Sequence, residues 1–449
     1  MKEIELIPNA RNLMESTRSI GYSLPAAVAD LVDNSLAANS TTIEIWTPTD
    51  FEQYLLILDD GFGMDEQELH VAMRYGSKYV KDSRESNDLG RFGLGLKMAS
   101  LSQARSLTVL SKKENNKIVG ACWDLDYVAN SNSAWPLQLL EPKDIENLPW
   151  VSKLATMKSG TLVIWQNLDI LLMGIKGRGL SEALLEKIGD LKAHLSLVFH
   201  RFLEEGEIRI IFNGDPLVPI DPFLKGRSQK PFAADTFMLA NQRIVYEPYI
   251  LPHPKNLTDE EKSRAGDLQK DQGFYIYRNK RLVIWGTWFR LSRKLNLSKL
   301  ARVRVDIPAT PEIDHLWSLD VKKSSATIPE ELRKALRIVV EKLGLRSKQV
   351  WARRARVEQT NDALWLRAKT AEGNIHYEIN EGNPLISTII EKNPEIRVLL
   401  RLISSRLPLD SLYTDLNSDK VVEDKADIES LIQQLKNKGF DTSSLERNL

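Results

Sequence analysis

Apolar and polar positions alternate between two periods along the first 200 residues. In LPAAVADLVDNSLAA (24–38), Leu24, Val28, Leu31, Val32 and Leu36 recur every three or four residues and predict a helix. Pro25 suits its first turn. TIEIWTP (42–48) alternates with period two and predicts a strand. YLLIL (54–58) is a short apolar run that ends at Asp59-Asp60-Gly61, a buried strand delivering a turn. A helix is expected over 65–75. The polar, glycine-bounded stretch 76–90 is expected to be a mobile loop. A glycine-rich motif begins at Gly90, with a helix from about Phe92. Strands are expected at 106–111, 117–124 and 160–166. The pattern is that of mostly antiparallel strands with helices on one face.

Residues 180–203 read as an amphipathic helix. Between 206 and 325 the alternation returns in EIRIIFNG, GFYIYRNKRLVIW and ARVRVDIP, with a long charged loop at 222–271. From Pro329 to about 370, and again at 386–405 and 427–438, the pattern is helical. Residues 417–425 read as a solvated linker.

A length of 449 residues points to two or three domains. Lys+Arg and Asp+Glu both number 61, which excludes a globally polycationic or polyanionic protein. The single cysteine, Cys122, excludes an intrachain disulfide and a cysteine-based zinc site. The charged first residues lack the apolar core of a signal peptide, and no apolar run approaches the ~18 residues of a membrane span. A soluble, cytoplasmic protein without a membrane partner is the expectation.

Three motifs carry chemistry. Asp30 and Asn34 are four apart and share one helix face. Such a pair can deprotonate a water and hold a hard cation such as Mg²⁺; the polar face of an ordinary amphipathic helix reads from the same letters. Asp59-Asp60-Gly61-Phe62-Gly63-Met64 follows a buried strand. Its carboxylate can accept from an exocyclic amine such as adenine N6, although Asp-Gly is also a common turn. Gly90, Gly93 and Gly95 precede an apolar helical run containing Lys97. Exposed N–H groups at a helix start bind phosphate, and a packed glycine loop is the plainer alternative. No GxxxxGK[ST] sequence is present, which argues against a P-loop.

In this order and spacing, ADLVDNS, DDGFGM and GRFGLGLKMAS resemble the three boxes of the GHKL ATPases, the gyrase, Hsp90, histidine-kinase and MutL group. The G-L-K ending is similar to that of MORC proteins, and Ser159-Gly160-Thr161 resembles the family's later G-T element. The resemblance covers roughly residues 10–170, with an extension towards 325. It implies an α+β chain: a Bergerat-type sandwich over 1–204, a ribosomal-S5-like transducer over 205–328 and a mainly helical region over 329–449. It implies ATP and Mg²⁺ as cofactors. Asp30 stands where the family's general base, usually Glu, would be, and Asn34 would hold Mg²⁺. Asp59 would recognise adenine, with Gly61, Gly63, Met64 and Thr161 at the same end. Gly90, Arg91, Phe92, Gly93, Leu94, Gly95 and Lys97 would hold the phosphates, under a lid formed by 76–90. Lys322 or Lys323 would reach the γ-phosphate from the transducer. Ala37 replaces an aspartate found in many relatives.

The aspartate at position 30 reaches one methylene less far than glutamate, which implies a slow ATPase. The resemblance further implies ATP-driven homodimerisation as a clamp or switch, in DNA repair, chromosome organisation or defence. The C-terminal helices could dock a protein partner. Residues 272–305 hold nine Lys/Arg and no acid, interleaved with Tyr275, Tyr277, Trp285, Trp288 and Phe289; residues 342–369 add eight more cations against two acids. Such stretches suit non-sequence-specific binding to a DNA backbone. An Hsp90-like chaperone, a topoisomerase-type subunit and a nucleotide-gated module with negligible hydrolysis are the alternatives.

Overall fold

The computed structural model describes residues 3–4, 6–19, 21–47, 54–75, 95–171, 180–294, 298–318, 326–352, 363–369, 375–405 and 428–437. The expected lid at 76–90, the site residues Gly90, Arg91, Phe92, Gly93 and Leu94, and Lys322 and Lys323 lie outside the described residues.

The first compact unit reaches residue 347 and contains two sheets. Strands β1 (Thr42–Trp46), β2 (Tyr54–Asp59), β3 (Ser106–Lys112), β4 (Val119–Asp124), β5 (Gln138–Leu139), β6 (Gly160–Gln166), β7 (Arg209–Phe212) and β8 (Asp215–Pro216) form the first. Their order is β5-β4-β3-β6-β2-β1-β7-β8, antiparallel except for the parallel pair β1–β7. One face carries Ile45, Ile57, Val109, Trp123 and Trp165, packed against the helices Leu24–Ala37, Gly95–Gln103 and Leu180–Val198. The opposite face is covered as well, which corrects the expectation of helices on one face. Leu56, Leu58, Leu110 and Ile164 pack there against Ile145 and Leu154, on the short helices Pro142–Glu146 and Val151–Thr156. The unbroken apolar run of β2 is the physical signature of a strand buried on both sides.

β7 and β8 were expected in a second domain beginning at 205. Backbone pairing of Thr42–Ile45 with Arg209–Phe212 puts them in the first sheet instead. The second sheet comprises β9 (Asp235–Leu239), β10 (Gln242–Ile250), β11 (Gly273–Arg278), β12 (Arg281–Thr287) and β13 (Ala301–Ile307), in the order β12-β11-β13-β10-β9. β9, β10 and the helix Asp259–Ala265 fall inside the expected charged loop 222–271. There Glu247, Pro248 and neighbouring charges interrupt the apolar alternation of a strand that nevertheless pairs with β13.

Of the cations of 272–305, Arg278, Arg281 and Arg302 are buried, against the expectation of a continuous phosphate-binding surface, while Arg290, Arg293 and Lys294 are exposed. Arg278 forms a two-pronged pair with Asp314 at 2.8 and 3.0 Å. Arg281 pairs with Asp33, Lys280 with Glu205 and Glu207, and Arg304 with Glu247 and Asp306. Arg302 donates to the carbonyls of Pro222 and Ala265. Tyr275, Tyr277 and Trp288 are core residues. A five-stranded sheet with strongly basic strands has to neutralise those cations where it is packed. The acids that pair with Arg278, Lys280, Arg281 and Arg304 all lie outside the stretch.

The second unit, described by itself, contains the antiparallel hairpin β14 (Trp365–Lys369) and β15 (Ile375–Ile379). It also contains the helices Pro384–Lys392, Ile396–Ser405 and Ile428–Asn437. The hairpin qualifies the expectation of a mainly helical region. No helix among the described residues is long and apolar enough to cross a membrane.

Phe212 on β7 is buried in the first core. Phe212→Ala is therefore expected to destabilise the first sheet by about 3–5 kcal/mol. Chemical denaturation checks this, and a change below about 1 kcal/mol would contradict the placement of β7.

Candidate active site

The helix Leu24–Ala37 organises the site. Ser23 caps it by accepting from the Ala26 N–H, and Pro25 occupies its first turn. Successive residues point about 100° apart, so neighbours in sequence meet different surroundings. Asp30 and Asp33 are buried, Asn34 is exposed and Ser35 is buried again.

Tyr22 donates its hydroxyl to Asp30 Oδ2 at 3.1 Å. Across from it begins the helix Gly95–Gln103. A Cβ added at Gly95 would have Asp30 Oδ2, at 3.9 Å, as its nearest described neighbour beyond its own helix. The structure thus brings Asp30 and Gly95 together, with Asn34 one helical turn beyond Asp30. Asp33 is engaged elsewhere, pairing with Arg281 Nε at 2.8 Å. Motif reading missed Arg281 completely, because it lies 248 positions from Asp33 and looks like one cation among many.

Asp59 ends β2 and is buried. Ser35 donates to its Oδ2 at 2.9 Å, and the Gly61 N–H donates to Oδ1 at 3.0 Å. Burial pushes the Asp59 carboxyl up to about 6, against the opposing pull of these hydrogen bonds. Asp60 takes a structural part. It accepts from the N–H groups of Thr41 and Thr42 and from the Ser40 and Thr41 hydroxyls, and these hold its carboxyl below the usual range despite partial burial. Ser35, like Arg281, lay outside the predicted set, although its place in D-N-S five residues after Asp30 was visible.

Thr161 stands opposite Asp59 in the β2–β6 register. Its hydroxyl shares a hydrogen bond with Ser111 at 2.9 Å, and Ser111 accepts from the Met64 N–H at 2.8 Å. Met64 and Thr161 are therefore joined through one serine of β3. Gly63 has φ +66°, and a Cβ there would fall 2.0 Å from the Lys112 carbonyl oxygen, so only glycine fits. Gly61 is similarly confined, against Ala38. Lys97 is buried and donates to the Ala72 carbonyl at 2.7 Å, at the end of the helix Glu66–Met73.

The donor set fits a magnesium nucleotide. Asn34 offers an exposed amide oxygen one turn from a buried carboxylate. Gly95, at the start of a helix, faces that carboxylate, and Asp59 is a buried acceptor whose carboxyl is pushed up by burial. Among the described residues one other group, His200, Glu204 and Asp221, could gather three ligand atoms. It is already engaged, with Tyr277 on His200 Nε2 at 2.8 Å and Lys225 on Glu204 at 3.3 Å.

Residues 22–161 match the family model described as histidine kinase-, DNA gyrase B-, and HSP90-like ATPase. The human ATPase MORC2 is 34% identical over 93 residues, which are 20% of this chain and 9% of that protein. The Caenorhabditis elegans ATPase morc-1 is 30% identical over 114 residues, 25% of this chain and 13% of that protein. The DNA mismatch repair protein MutL of Endomicrobium trichonymphae is 25% identical over 126 residues, 28% of this chain and 19% of its own length. The chain thus spans less than a fifth of the curated relatives it matches. Motif spacing and comparison thus agree that residues 22–161 are similar to the GHKL-type ATPase domain, and to MORC and MutL proteins there.

Proposed function

We propose that the chain binds Mg-ATP at this site and hydrolyses it slowly, using the cycle as a dimerising switch or clamp on DNA. The observation that carries the reading is the division of labour on one helix. Asp30, Asn34 and Ser35 lie within six residues, yet they face a glycine-started helix, the exterior and Asp59 respectively.

In this reading Asp59 accepts from adenine N6, with Gly61 and Gly63 allowing the base to lie against the backbone. Met64 and Thr161 support that end through Ser111. Asn34 supplies an oxygen to Mg²⁺, and the ion when bound neutralises phosphate charge and orients the leaving group. The N–H groups at the start of Gly95–Gln103 hold phosphate oxygens, with Gly90, Arg91, Phe92, Gly93 and Leu94 completing that set. Lys97 joins it by exchanging the Ala72 carbonyl for a phosphate oxygen. Asp30 Oδ takes a proton from the attacking water while Tyr22 orients the carboxylate. Lys322 or Lys323 serves the γ-phosphate, and the second sheet acts as the transducer. The domain division then follows the two sheets, with the boundary after β8 rather than at 205.

Asp30→Asn removes the base. Turnover is expected to fall by about a hundredfold or more with ATP still bound. A coupled phosphate-release assay checks this; wild type and variant both at background would leave a binding switch and no enzyme.

The raised Asp59 carboxyl sets a pH dependence. Its folded-state value near 6 lies above the ordinary 3.8, so the acid takes up a proton as pH falls through 6. An adenine amine needs the ionised acceptor, so ATP affinity should fall by up to about tenfold per pH unit below 6. Calorimetry on wild type and Asp59→Asn separates this from titration of the nucleotide itself. Equal pH profiles in the two proteins would refute the assignment of Asp59.

Action on DNA is supported by the similarity to MutL, a DNA mismatch repair protein, and not by those cations of 272–305 that are internally paired, such as Arg278 and Arg281. A non-hydrolysable ATP analogue is expected to double the mass in solution and to strengthen salt-dependent DNA binding. Light scattering that reports an unchanged monomer would sink the clamp.

A further inference from the structure

The two sheets of the first unit meet at the tip of the β11–β12 hairpin. Its two turn residues, Asn279 and Lys280, both have positive φ (47° and 66°), the two-residue turn whose twist matches paired strands. Arg281 follows at once, and its side chain enters the first domain. Nε lies 2.8 Å from the Asp33 carboxylate, and Nη2 lies 4.0 Å from Asp30 Oδ1. All three side chains are at most 5% exposed. The guanidinium lies over the Phe199 ring, 5.7 Å from its centroid, and Nη1 donates to the Leu282 carbonyl at 3.1 Å.

The hairpin is pinned on each side of this residue. Lys280 pairs with Glu205 at 2.6 Å and with Glu207. Tyr277 shares a hydrogen bond with His200 at 2.8 Å, and Arg201 pairs with Asp306. His194 packs against Trp285, its ring pushed down to about 4 by burial and by the Arg281 charge, so the pocket gains no second cation at neutral pH. The hairpin cannot slide along the helix Leu24–Ala37 without leaving a buried charge unpaired, a costly state.

We propose that Arg281 is a positioning residue for Asp30. It holds the helix through Asp33 and draws Asp30 Oδ1 towards its own Nη2, while Tyr22 holds Oδ2. The placement of the second sheet thereby sets the aim of the base. Arginine suits this task because one planar fork addresses two carboxylates at fixed angles; a lysine point charge cannot serve both. The inference rests on the reading of Asp30 as general base.

The test uses the full chain and two variants. Arg281→Lys keeps the charge and loses the fork. Arg281→Met combined with Asp33→Leu removes the closer ion pair as a unit, so Asp33 is not left as a buried unpaired charge, while Asp30 keeps its bond from Tyr22. Steady-state turnover, ATP affinity and the thermal midpoint are measured for each. Arg281→Lys is expected to lower kcat about tenfold or more while KM changes less than about threefold, the mark of misaimed chemistry with binding intact. The double variant should recover the thermal midpoint and leave kcat low. A purely structural salt bridge would instead restore kcat together with folding, and that result overturns the proposal. Wild-type kcat in Arg281→Lys overturns it as well, even if the double variant fails to fold. A wild type at background turnover is a different failure: it removes Asp30 as a base, and the role of Arg281 with it.

Discussion

Two carboxylates buried three residues apart on one helix impose the constraint around which the first unit is built. A charge removed from water costs several kcal/mol unless it is paired and hydrogen-bonded. Asp30 and Asp33 sit on a helix whose other inward residues, Ala27, Val28, Leu31 and Val32, are apolar and fully packed. Their compensation comes from outside the helix: a tyrosine just before it and an arginine from the second sheet. The second sheet is thus part of the electrostatics of the first domain. Its hairpin tip adds Lys280, Tyr277 and neighbouring contacts that keep the arginine where the carboxylates need it.

Asp59 meets the same problem differently. A hydroxyl and backbone amides share the load of its carboxyl, and burial still pushes it to about 6. A carboxylate compensated by dipoles retains a pull towards any further donor, whereas one compensated by a guanidinium is already satisfied. This difference separates a group suited to ligand recognition from Asp33, which serves as an anchor. Ser35 links the two regions, since its helix carries Asp30 and its hydroxyl bonds Asp59.

Much of the first sheet was legible because its signals are local. The helix expected over 24–38 spans Leu24–Ala37, and the apolar run 54–58 is β2. The glycines of DDGFGM stand where a Cβ would strike Ala38 or the Lys112 carbonyl, a backbone requirement that leaves its mark in sequence. The second sheet was less legible. β10 interrupts its apolar alternation with Glu247 and Pro248, whose places are set by Lys230, Arg304 and pairing with β13. The parallel partnership of β7 with β1 joins segments some 165 residues apart, and no local pattern encodes it.

The sequence by itself determined which side chains exist at motif spacing: a carboxylate and an amide on one helix, a carboxylate after a buried strand, glycines before another helix. These depend on the helix period and on backbone sterics, which act over a few residues. Only the tertiary structure decided what each charge does. Arg281, Arg278 and Arg302 look alike in a run of cations, yet one meets Asp33, one Asp314 and one a pair of backbone carbonyls. The reason is that burial makes an unpaired charge expensive whatever its neighbours in sequence, so the partner is chosen by the packing of distant strands and helices.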